Sequence, residues 1–236
     1  MFIAIIGAMD TEISRASRLL ENAVVEEHQG FRYIVGNRGC HKIVVAKSGI
    51  GKVNMAIAVT NLINHFDVDL IINTGIAGSV NTKINSICIA TKLMYHDLII
   101  DSFDVHLKDP IYPNNQIIAH AKRYLKDVTY GTFLTGDQFV TSVEMLHDVN
   151  LDGVVSIDME SMAVAVTAKK FAKNFLIWLL AKPVLTHSSQ PSFGPGEDLL
   201  VLISTLSPVL RMVLSGTITL LTSAPTQLSP TLVWIR

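Results

Sequence analysis

The sequence predicts an α/β fold of three layers, in which helices flank a twisted, mostly parallel or mixed sheet. Apolar runs of strand length alternate with stretches of helical periodicity along residues 1–175, a pattern typical of parallel strands joined by helices. Glycines follow several of these runs, as expected where a strand leads into a loop. Because 49% of the 236 residues are hydrophobic and only 17% are charged, the chain can bury a large core.

The first half of the chain supplies six predicted elements. The run Phe2–Ile6 ends at Gly7, and the apolar residues Ile13, Ala16 and Leu19 that follow have helical spacing. The predicted order is a strand over 2–6, a helix over 10–20, paired strands over 31–35 and 42–46, a helix over 53–66 and a strand over 69–74.

The second half continues this alternation up to about residue 180. The predicted elements are strands over 86–90, 129–134 and 154–157, a helix over 159–173 and a strand over 175–180. Strands that alternate with helices again indicate a largely parallel sheet.

The composition changes sharply near residue 175. Residues 176–236 hold only 5 charged residues but 6 of the 8 prolines. Proline interrupts helices, and so little charge leaves no solvated helix face. We therefore divide the chain into an α/β domain over 1–175 and a divergent, apolar, Ser/Pro-rich tail over 176–236. The segment Leu199–Leu221 is apolar enough to span a membrane, but Pro208 and Arg211 near its middle argue against this, and we expect no membrane partner.

Charge and cysteine content exclude several classes of function. The net charge is −1 and no long basic run occurs, so we expect no nucleic-acid partner. Cys40 and Cys88 lie outside any CxxC or Cys/His cluster, so we expect no zinc site and two buried thiols in a reducing compartment. The apolar N-terminal run has no basic region before it and indicates a first strand instead of a signal peptide, so we predict a cytoplasmic protein.

Five short motifs lie where predicted strands end, which is where α/β sheets build their sites. They are Ile5-Ile-Gly-Ala-Met-Asp-Thr-Glu12, Ser48-Gly-Ile-Gly-Lys-Val53, Asn73-Thr-Gly-Ile-Ala-Gly78, Thr135-Gly-Asp-Gln-Phe-Val140 and Ile157-Asp-Met-Glu160. Taken singly, each also fits an ordinary structural role. Glu12 and Glu160 are compatible with carboxylates that stabilise a helix N-terminus, Phe139 with a core aromatic, and the glycines with tight turns.

Taken together and in this order, with Lys47 before the second motif and Tyr95-His-Asp97 after the third, the motifs resemble the 5′-methylthioadenosine/S-adenosylhomocysteine nucleosidases. That family has the purine nucleoside phosphorylase-like fold, and the resemblance covers residues 1 to about 175. It implies hydrolysis of the N-glycosidic bond of 5′-methylthioadenosine and S-adenosylhomocysteine, which releases adenine and a thio-ribose for methionine salvage. It implies a small-molecule adenine thionucleoside as ligand, and neither a metal nor a cofactor.

The resemblance also implies a role for each matching residue. Glu12 would activate the attacking water, and Glu160 would hold the 2′- and 3′-hydroxyls, with the Met159 backbone close to the ribose. Phe139 would stack on adenine, and the Val140 backbone would bond the edge of the base. Small and apolar residues would line the pocket: Met9, Ile50, Ala77, Gly78, Ile100 and Phe103.

The resemblance ends near residue 175. The general acid of the family is an aspartate in an Arg-Ala-x-Ser-Asp segment, after the strand that follows the Met-Glu helix. Here that strand is followed by Ala181-Lys-Pro-Val-Leu-Thr-His187, and Arg-Ala-x-Ser-Asp occurs nowhere. His187 is a poor substitute because its Ser/Pro-rich surroundings predict no scaffold. A change of reading frame in the gene near codon 177 accounts for this loss and for the altered composition; a natural divergent tail is the alternative.

We therefore predict a nucleosidase whose turnover is impaired by the loss of its acid. One alternative is an inactive, nucleoside-binding remnant of the family. Another is a purine nucleoside phosphorylase of the same fold, which would need a phosphate site near Ser48, where the sequence offers Lys47 and Lys52. The resemblance also implies a homodimer, with the partner near Ile99–Phe103.

Overall fold

A computed structural model describes residues 1–98 and 109–184 of the chain. The nine strands in this part are β1 Phe2–Gly7, β2 Glu21–His28, β3 Phe31–Arg38, β4 His41–Lys47, β5 Leu70–Ser79, β6 Ile87–Tyr95, β7 Val128–Thr135, β8 Val154–Asp158 and β9 Asn174–Lys182. The helices are α1 Asp10–Arg18, α2 Lys52–His65, α3 Asn115–Tyr124 and α4 Ser161–Lys170, with a short 3₁₀ helix at Val143–Leu146. Every element predicted from the sequence is present.

The short 3₁₀ helix, one strand and one α-helix were not predicted, and for the strand and the α-helix there is a physical reason. β2 is an edge strand whose residues are mostly exposed, so it lacks the apolar alternation of a half-buried strand. α3 begins after Asn114, whose side-chain oxygen accepts the Gln116 N–H at 2.8 Å. This asparagine cap, with Ile117 and Ala121 buried on one face, is the signal that the sequence analysis missed.

The strands form one mixed sheet in the order β2-β3-β4-β1-β5-β8-β7-β6-β9, with β9 also paired to β5. β1 runs parallel to both β4 and β5. Because β5 pairs with β8 at one end and β9 pairs with both β5 and β6, the five strands β5, β8, β7, β6 and β9 form a closed ring. The ring therefore has no edge between β6 and β5.

β9 completes this ring. Residues Asn174–Lys182 pair in parallel with Leu70–Gly78 of β5, while Trp178–Leu180 pair in antiparallel fashion with β6. The strand thus continues past residue 175, where the composition changes. Residues 185–236 lie outside the described part of the chain, so the division into a domain and a tail stays a prediction.

Helices cover both faces of the sheet. One core cluster contains buried residues of α2 and α4, among them Met55, Leu62 and Met162. A second cluster contains buried residues of α1 and α3 together with Trp178 of β9. These two clusters make the three layers that the alternation of strands and helices predicts.

Two predictions concern features away from the sheet. Cys88 is buried as expected, but Cys40 is exposed because it lies in the turn between β3 and β4, so the expectation of two buried thiols was wrong for Cys40. Within residues 1–98 and 109–184, no helix is both long and apolar enough to cross a membrane. The apolar segment Leu199–Leu221 lies outside these residues.

Candidate active site

Glu12 lies in the first turn of α1, directly after the loop that follows β1. Its side chain is buried and accepts three backbone hydrogen bonds. The Ala8 and Met9 N–H groups donate to Oε2 at 2.7 and 3.0 Å, and the Ile76 N–H donates to Oε1 at 3.0 Å. The first and third motifs are therefore joined through one carboxylate, whose orientation is fixed by groups that cannot rotate away.

Gly75 makes room for this carboxylate. A Cβ atom at position 75 would lie 2.6 Å from Glu12 Oε1, well inside van der Waals contact. A larger residue would therefore displace the side chain from its N–H donors. Because Gly75 has no side chain, the backbone of β5 can approach the Glu12 carboxylate closely.

Glu160 joins the second and fifth motifs. Its Oε1 accepts the Gly51 N–H at 2.7 Å. Gly51 has φ +96°, a backbone conformation that L side chains rarely adopt, so only glycine presents this N–H without strain. The glycine-rich loop ahead of α2 therefore holds a carboxylate of the protein itself.

Asp158, at the end of β8, is a third buried carboxylate beside these two. It accepts hydrogen bonds from the hydroxyl of Ser161 and, at 2.6 Å, from the hydroxyl of Thr135. The same Thr135 hydroxyl accepts the Met162 N–H at 3.0 Å. These contacts fix the start of α4, and with it Glu160, against the end of β7.

The three carboxyl groups share a water-poor environment that favours their neutral forms. Burial raises the pKa of Glu160 to about 7, and the negative charges of Asp158 and Glu12 add to this effect. Burial also raises the pKa of Glu12, although its three backbone donors oppose the change. The pKa of Asp158 is raised by burial as well.

Lys52, the residue after Gly51, forms an ion cluster with Asp97 and Asp137. Lys52 Nζ is 2.8 Å from both carboxylate oxygens of Asp97 and 3.3 Å from Asp137 Oδ2. The Asp137 N–H donates to Asp97 Oδ2 at 2.6 Å, and the Lys52 N–H donates to Asp137 Oδ1 at 3.3 Å. The fourth motif is thereby joined to the second, and both are joined to Tyr95-His-Asp97.

The loops that carry the five motifs, residues 8–12, 48–52, 75–78, 136–140 and 159–160, are called the motif loops below. Within them Ala77 and Val140 are buried, Met9, Gly78 and Met159 are half-buried, and Ile50 and Phe139 are exposed. Ile100 and Phe103 lie outside the described residues. The structure therefore brings the motif loops together by hydrogen bonds. The stacking of Phe139 on adenine stays a prediction.

The end of β9 approaches the motif loops at Gly78. Lys182 pairs with Gly78 in the sheet, and Val184 Cγ2 would lie 3.2 Å from a Cβ at Gly78. Lys182 Nζ donates to Asn85 Oδ1 at 2.9 Å. The described residues that follow β9, Pro183 and Val184, carry no ionisable side chain.

Comparison with known proteins decides the family. The model of the phosphorylase superfamily matches residues 2–183. A 5′-methylthioadenosine/S-adenosylhomocysteine nucleosidase from an Exiguobacterium species is 31% identical over 192 residues, which cover 75% of this chain and 82% of that protein. The chain belongs to this nucleosidase family. The resemblance inferred from the five motifs is thus confirmed.

Solved structures of this nucleosidase family share the fold. The S-adenosylhomocysteine nucleosidase of Streptococcus pyogenes, in complex with 5-methylthiotubericidin, superposes with a TM-score of 0.83 at 26% identity and covers 91% of this chain and 97% of its own. An aspartate-to-asparagine mutant of the Helicobacter pylori enzyme, with 5′-methylthioadenosine in its active site, gives 0.79 at 26% identity, covering 89% and 97%. The α/β fold class is therefore confirmed.

Two features of this candidate site were missed by sequence analysis. Asp158 was noted only as part of a motif, and its bonds to Thr135 and Ser161 join residues of separate elements. The pairing of Lys52 with Asp97 and Asp137 spans loops far apart in the chain, so no local spacing could reveal it. A cavity of about 400 Å³ near Tyr112 and Lys169 shares no residue with the motif loops.

Proposed function

We propose that this chain binds 5′-methylthioadenosine and S-adenosylhomocysteine and hydrolyses their N-glycosidic bond, at a rate lowered by the lack of a general acid beside β9. One observation carries the proposal. Glu12 and Glu160 lie close enough for their charges to interact, and backbone N–H groups of the motif loops hold both carboxylates. Membership of the nucleosidase family supports the reaction, and the nucleoside ligands held by its Streptococcus and Helicobacter relatives support the substrate class.

Glu12 is proposed as the base. Water attacks C1′ of the ribose, Glu12 takes a proton from that water, and the bond from C1′ to the purine nitrogen breaks with its electron pair on adenine. Burial raises the pKa of Glu12 and so brings its proton affinity nearer to that required at neutral pH. Its negative charge also stabilises the positive character that develops on the ribose.

Glu160 is proposed to hold the 2′- and 3′-hydroxyls, with the Met159 backbone beside the ribose. The N–H groups of Gly51 and Met159 use only part of the acceptor capacity of the Glu160 carboxylate, so it can also accept hydrogen bonds from the sugar. Phe139, whose ring is exposed, stacks on adenine in this proposal, and the Val140 backbone bonds the edge of the base. The pocket walls in this proposal are Met9, Ile50, Ala77 and Gly78, with Phe103 from outside the described residues.

The departing adenine needs a proton, and here the chain is deficient. A positioned general acid is worth ~10²–10⁴-fold in rate. Where β9 reaches Gly78, the neighbouring residues are Lys182, Pro183 and Val184, none of them a carboxylic acid. We therefore propose turnover that is slower by about that factor than in a chain with the acid segment restored.

Adenine release from 5′-methylthioadenosine tests this proposal. It is measured for the 236-residue chain and for a version in which the neighbouring reading frame is restored after codon 177. Release that is slow in the first and fast in the second supports both the reaction and its impairment. Rates within about tenfold of each other would show that the acid is dispensable here, and no release from either chain would reject the nucleosidase function.

A nucleoside-binding protein without turnover is the second candidate, favoured by the same residues beside β9. The Helicobacter mutant holds 5′-methylthioadenosine in its active site, which supports binding by an altered member of the family. Calorimetric titration with 5′-methylthioadenosine distinguishes the two. Saturable binding without adenine release over hours would favour the binding protein.

A phosphorylase is disfavoured by the pairing of both lysines near Ser48. Lys47 Nζ lies 2.6 Å from Asp10 Oδ2, and Lys52 is held by Asp97 and Asp137. The aspartate partners neutralise the positive charge of these lysines, which a bound phosphate ion would need as its counter-charge. Adenine release that strictly requires added phosphate would nevertheless reject hydrolysis.

We further propose that the chain is a cytoplasmic homodimer. Val53 and Ile57, one turn apart on α2, are 67% and 53% exposed and form an apolar face suited to a second copy. Both described cysteines are free thiols, in keeping with a reducing compartment. Ultracentrifugation at micromolar concentration measures the assembly, and a single monomeric species would contradict the dimer.

A further inference from the structure

The ion cluster of Lys52, Asp97 and Asp137 joins loops that carry proposed ligand contacts. Lys52 follows Gly51 directly, and the Gly51 N–H holds Glu160 at 2.7 Å. Asp137 lies two residues before Phe139 on the loop that follows β7. A disturbance at the Lys52 ammonium would therefore reach both the ribose contact and the adenine contact.

Burial makes this pairing stronger than an ordinary surface ion pair. The side chains of Lys52 and Asp97 are only 20% and 23% exposed, and the ammonium lies 5.1 Å from the centre of the Tyr95 ring. The pKa of Asp97 is lowered: burial alone would raise it, but the hydrogen bond from Lys52 and the Asp137 N–H outweigh burial. Loss of the ammonium would leave two neighbouring carboxylates without their counter-ion.

We propose that Lys52 is a positioning residue for the nucleoside site. Its ammonium fixes residues 136–140 against residues 48–52 and so fixes the Gly51 N–H that orients Glu160. The ligand in this inference rests on the proposed function, but the ordering of the two loops does not. If Lys52 served only general stability, its loss would weaken the whole fold without a local effect on these loops.

Lys173 provides a matched control. Its side chain is 23% exposed, close to that of Lys52, and its Nζ lies 2.7 Å from Oδ1 of a single aspartate, Asp67, which is 98% exposed. It lies just before β9, outside the motif loops. The variants to compare are Lys52→Met, Lys52→Arg and Lys173→Met, each in the full chain. Arginine keeps the charge and can pair with two carboxylates.

Amide hydrogen exchange reports the loops directly, and calorimetry with 5′-methylthioadenosine reports the site. We expect Lys52→Met to speed exchange in segments 49–51 and 136–140 by about tenfold or more, and to raise the Kd by a similar factor. Lys173→Met leaves both quantities unchanged. Lys52→Arg recovers most of the affinity and most of the protection.

The possible outcomes separate this inference from the proposed function. Unchanged exchange in both segments of Lys52→Met, or equal acceleration in β1 and β5, overturns the positioning role. Failure of the unaltered chain to bind 5′-methylthioadenosine rejects the proposed function, while the exchange data still decide the role of Lys52. Local acceleration that is reversed by Lys52→Arg supports the inference in either case.

Discussion

The motif loops and the end of β9 meet at Gly78, yet different interactions hold them in place. The motif loops are joined by specific polar contacts, such as those of Glu12 with Ile76 and of Glu160 with Gly51. The end of β9 is joined by strand pairing and apolar packing, with Val184 beside Gly78. The proposed base and ribose ligand lie in the first region, whereas the second contributes strand pairing and apolar packing.

This difference shows that a buried strand tolerates many more sequences than a catalytic loop does. A buried strand needs a run of apolar residues, and many sequences satisfy that requirement. Phe175–Ala181 does so and completes the ring, although the family's acid segment is absent. A general acid needs one residue type at one place, so substitution there removes the chemistry while the fold persists.

The largest expected effect tests the motif loops. Glu12→Gln removes the proposed base, so we expect adenine release to fall by ~10²–10⁴-fold in the frame-restored chain, equivalent to ~3–5 kcal/mol. Single-turnover adenine release with enzyme in excess is the measurement. Glu144→Gln, an exposed glutamate on the 3₁₀ helix, is the control and should leave the rate unchanged. An unaltered rate for Glu12→Gln would show that Glu12 is not the base, and the motif loops would then lack the proposed catalytic role.

The next effect tests β9 as a structural element. Trp178 is fully buried in the cluster formed with α1 and α3, so Trp178→Ala should lower the free energy of unfolding by ~3–5 kcal/mol. Urea denaturation measures this change. Val25→Ala, at an exposed position on edge strand β2, should change it by less than about 0.5 kcal/mol. If both variants were equally mild, β9 would not be part of the core.

A third effect concerns the pH dependence that burial imposes on Glu160. Its pKa is raised from 4.5 to about 7, so the folded chain binds a proton that the unfolded chain releases between these values. Stability is therefore greatest below pH 4.5 with respect to this group, and about 3 kcal/mol is lost as pH rises through 7. Because neutral glutamine resembles the protonated acid, Glu160→Gln should be more stable than the unaltered chain at pH 8 and equal to it at pH 4.5.

Urea titrations at the two pH values measure this difference. The same variant should bind 5′-methylthioadenosine more weakly at pH 8, because it has lost a carboxylate acceptor for the ribose hydroxyls. Such a result would show that Glu160 lowers the stability of the folded chain but contributes to ligand binding. Equal stability of the two proteins at pH 8 would mean that burial of the ionised Glu160 does not destabilise the fold.

The smallest effect separates the two lysines near Ser48. Lys47 and Asp10 form an ion pair whose side chains are 47% and 79% exposed, so solvent screens their attraction. We expect Lys47→Met to change the free energy of unfolding by less than about 1 kcal/mol and to leave nucleoside affinity intact. Thermal unfolding and calorimetry provide the two measurements. A large loss of affinity would place Lys47 within the site.

Much of the fold could be predicted because its strands are short apolar runs bounded by glycines. β2 could not, since Val24 and Val25 are exposed beside charged neighbours on an edge. The ring could not, because β9 meets β5 and β6 only after the chain has folded back over a long distance. For the candidate site, the strand-end motifs predicted Glu12 and Glu160, whose roles stay predictions. The Lys52 ion cluster depends on tertiary contacts between distant loops and could not be predicted.

The closed ring also determines the order in which the chain can assemble during synthesis. β5 and β6 leave the ribosome long before β9, and their pairing partners are separated by on the order of 100 residues, so ring closure is a late, slow step. Until then β5 and β6 present unpaired edges that can recruit other chains. A gene lesion before codon 174 would leave these edges without β9 as their partner. A frame change near codon 177 would fall within β9 itself, where the residues after it are still apolar enough to pair with β5 and β6.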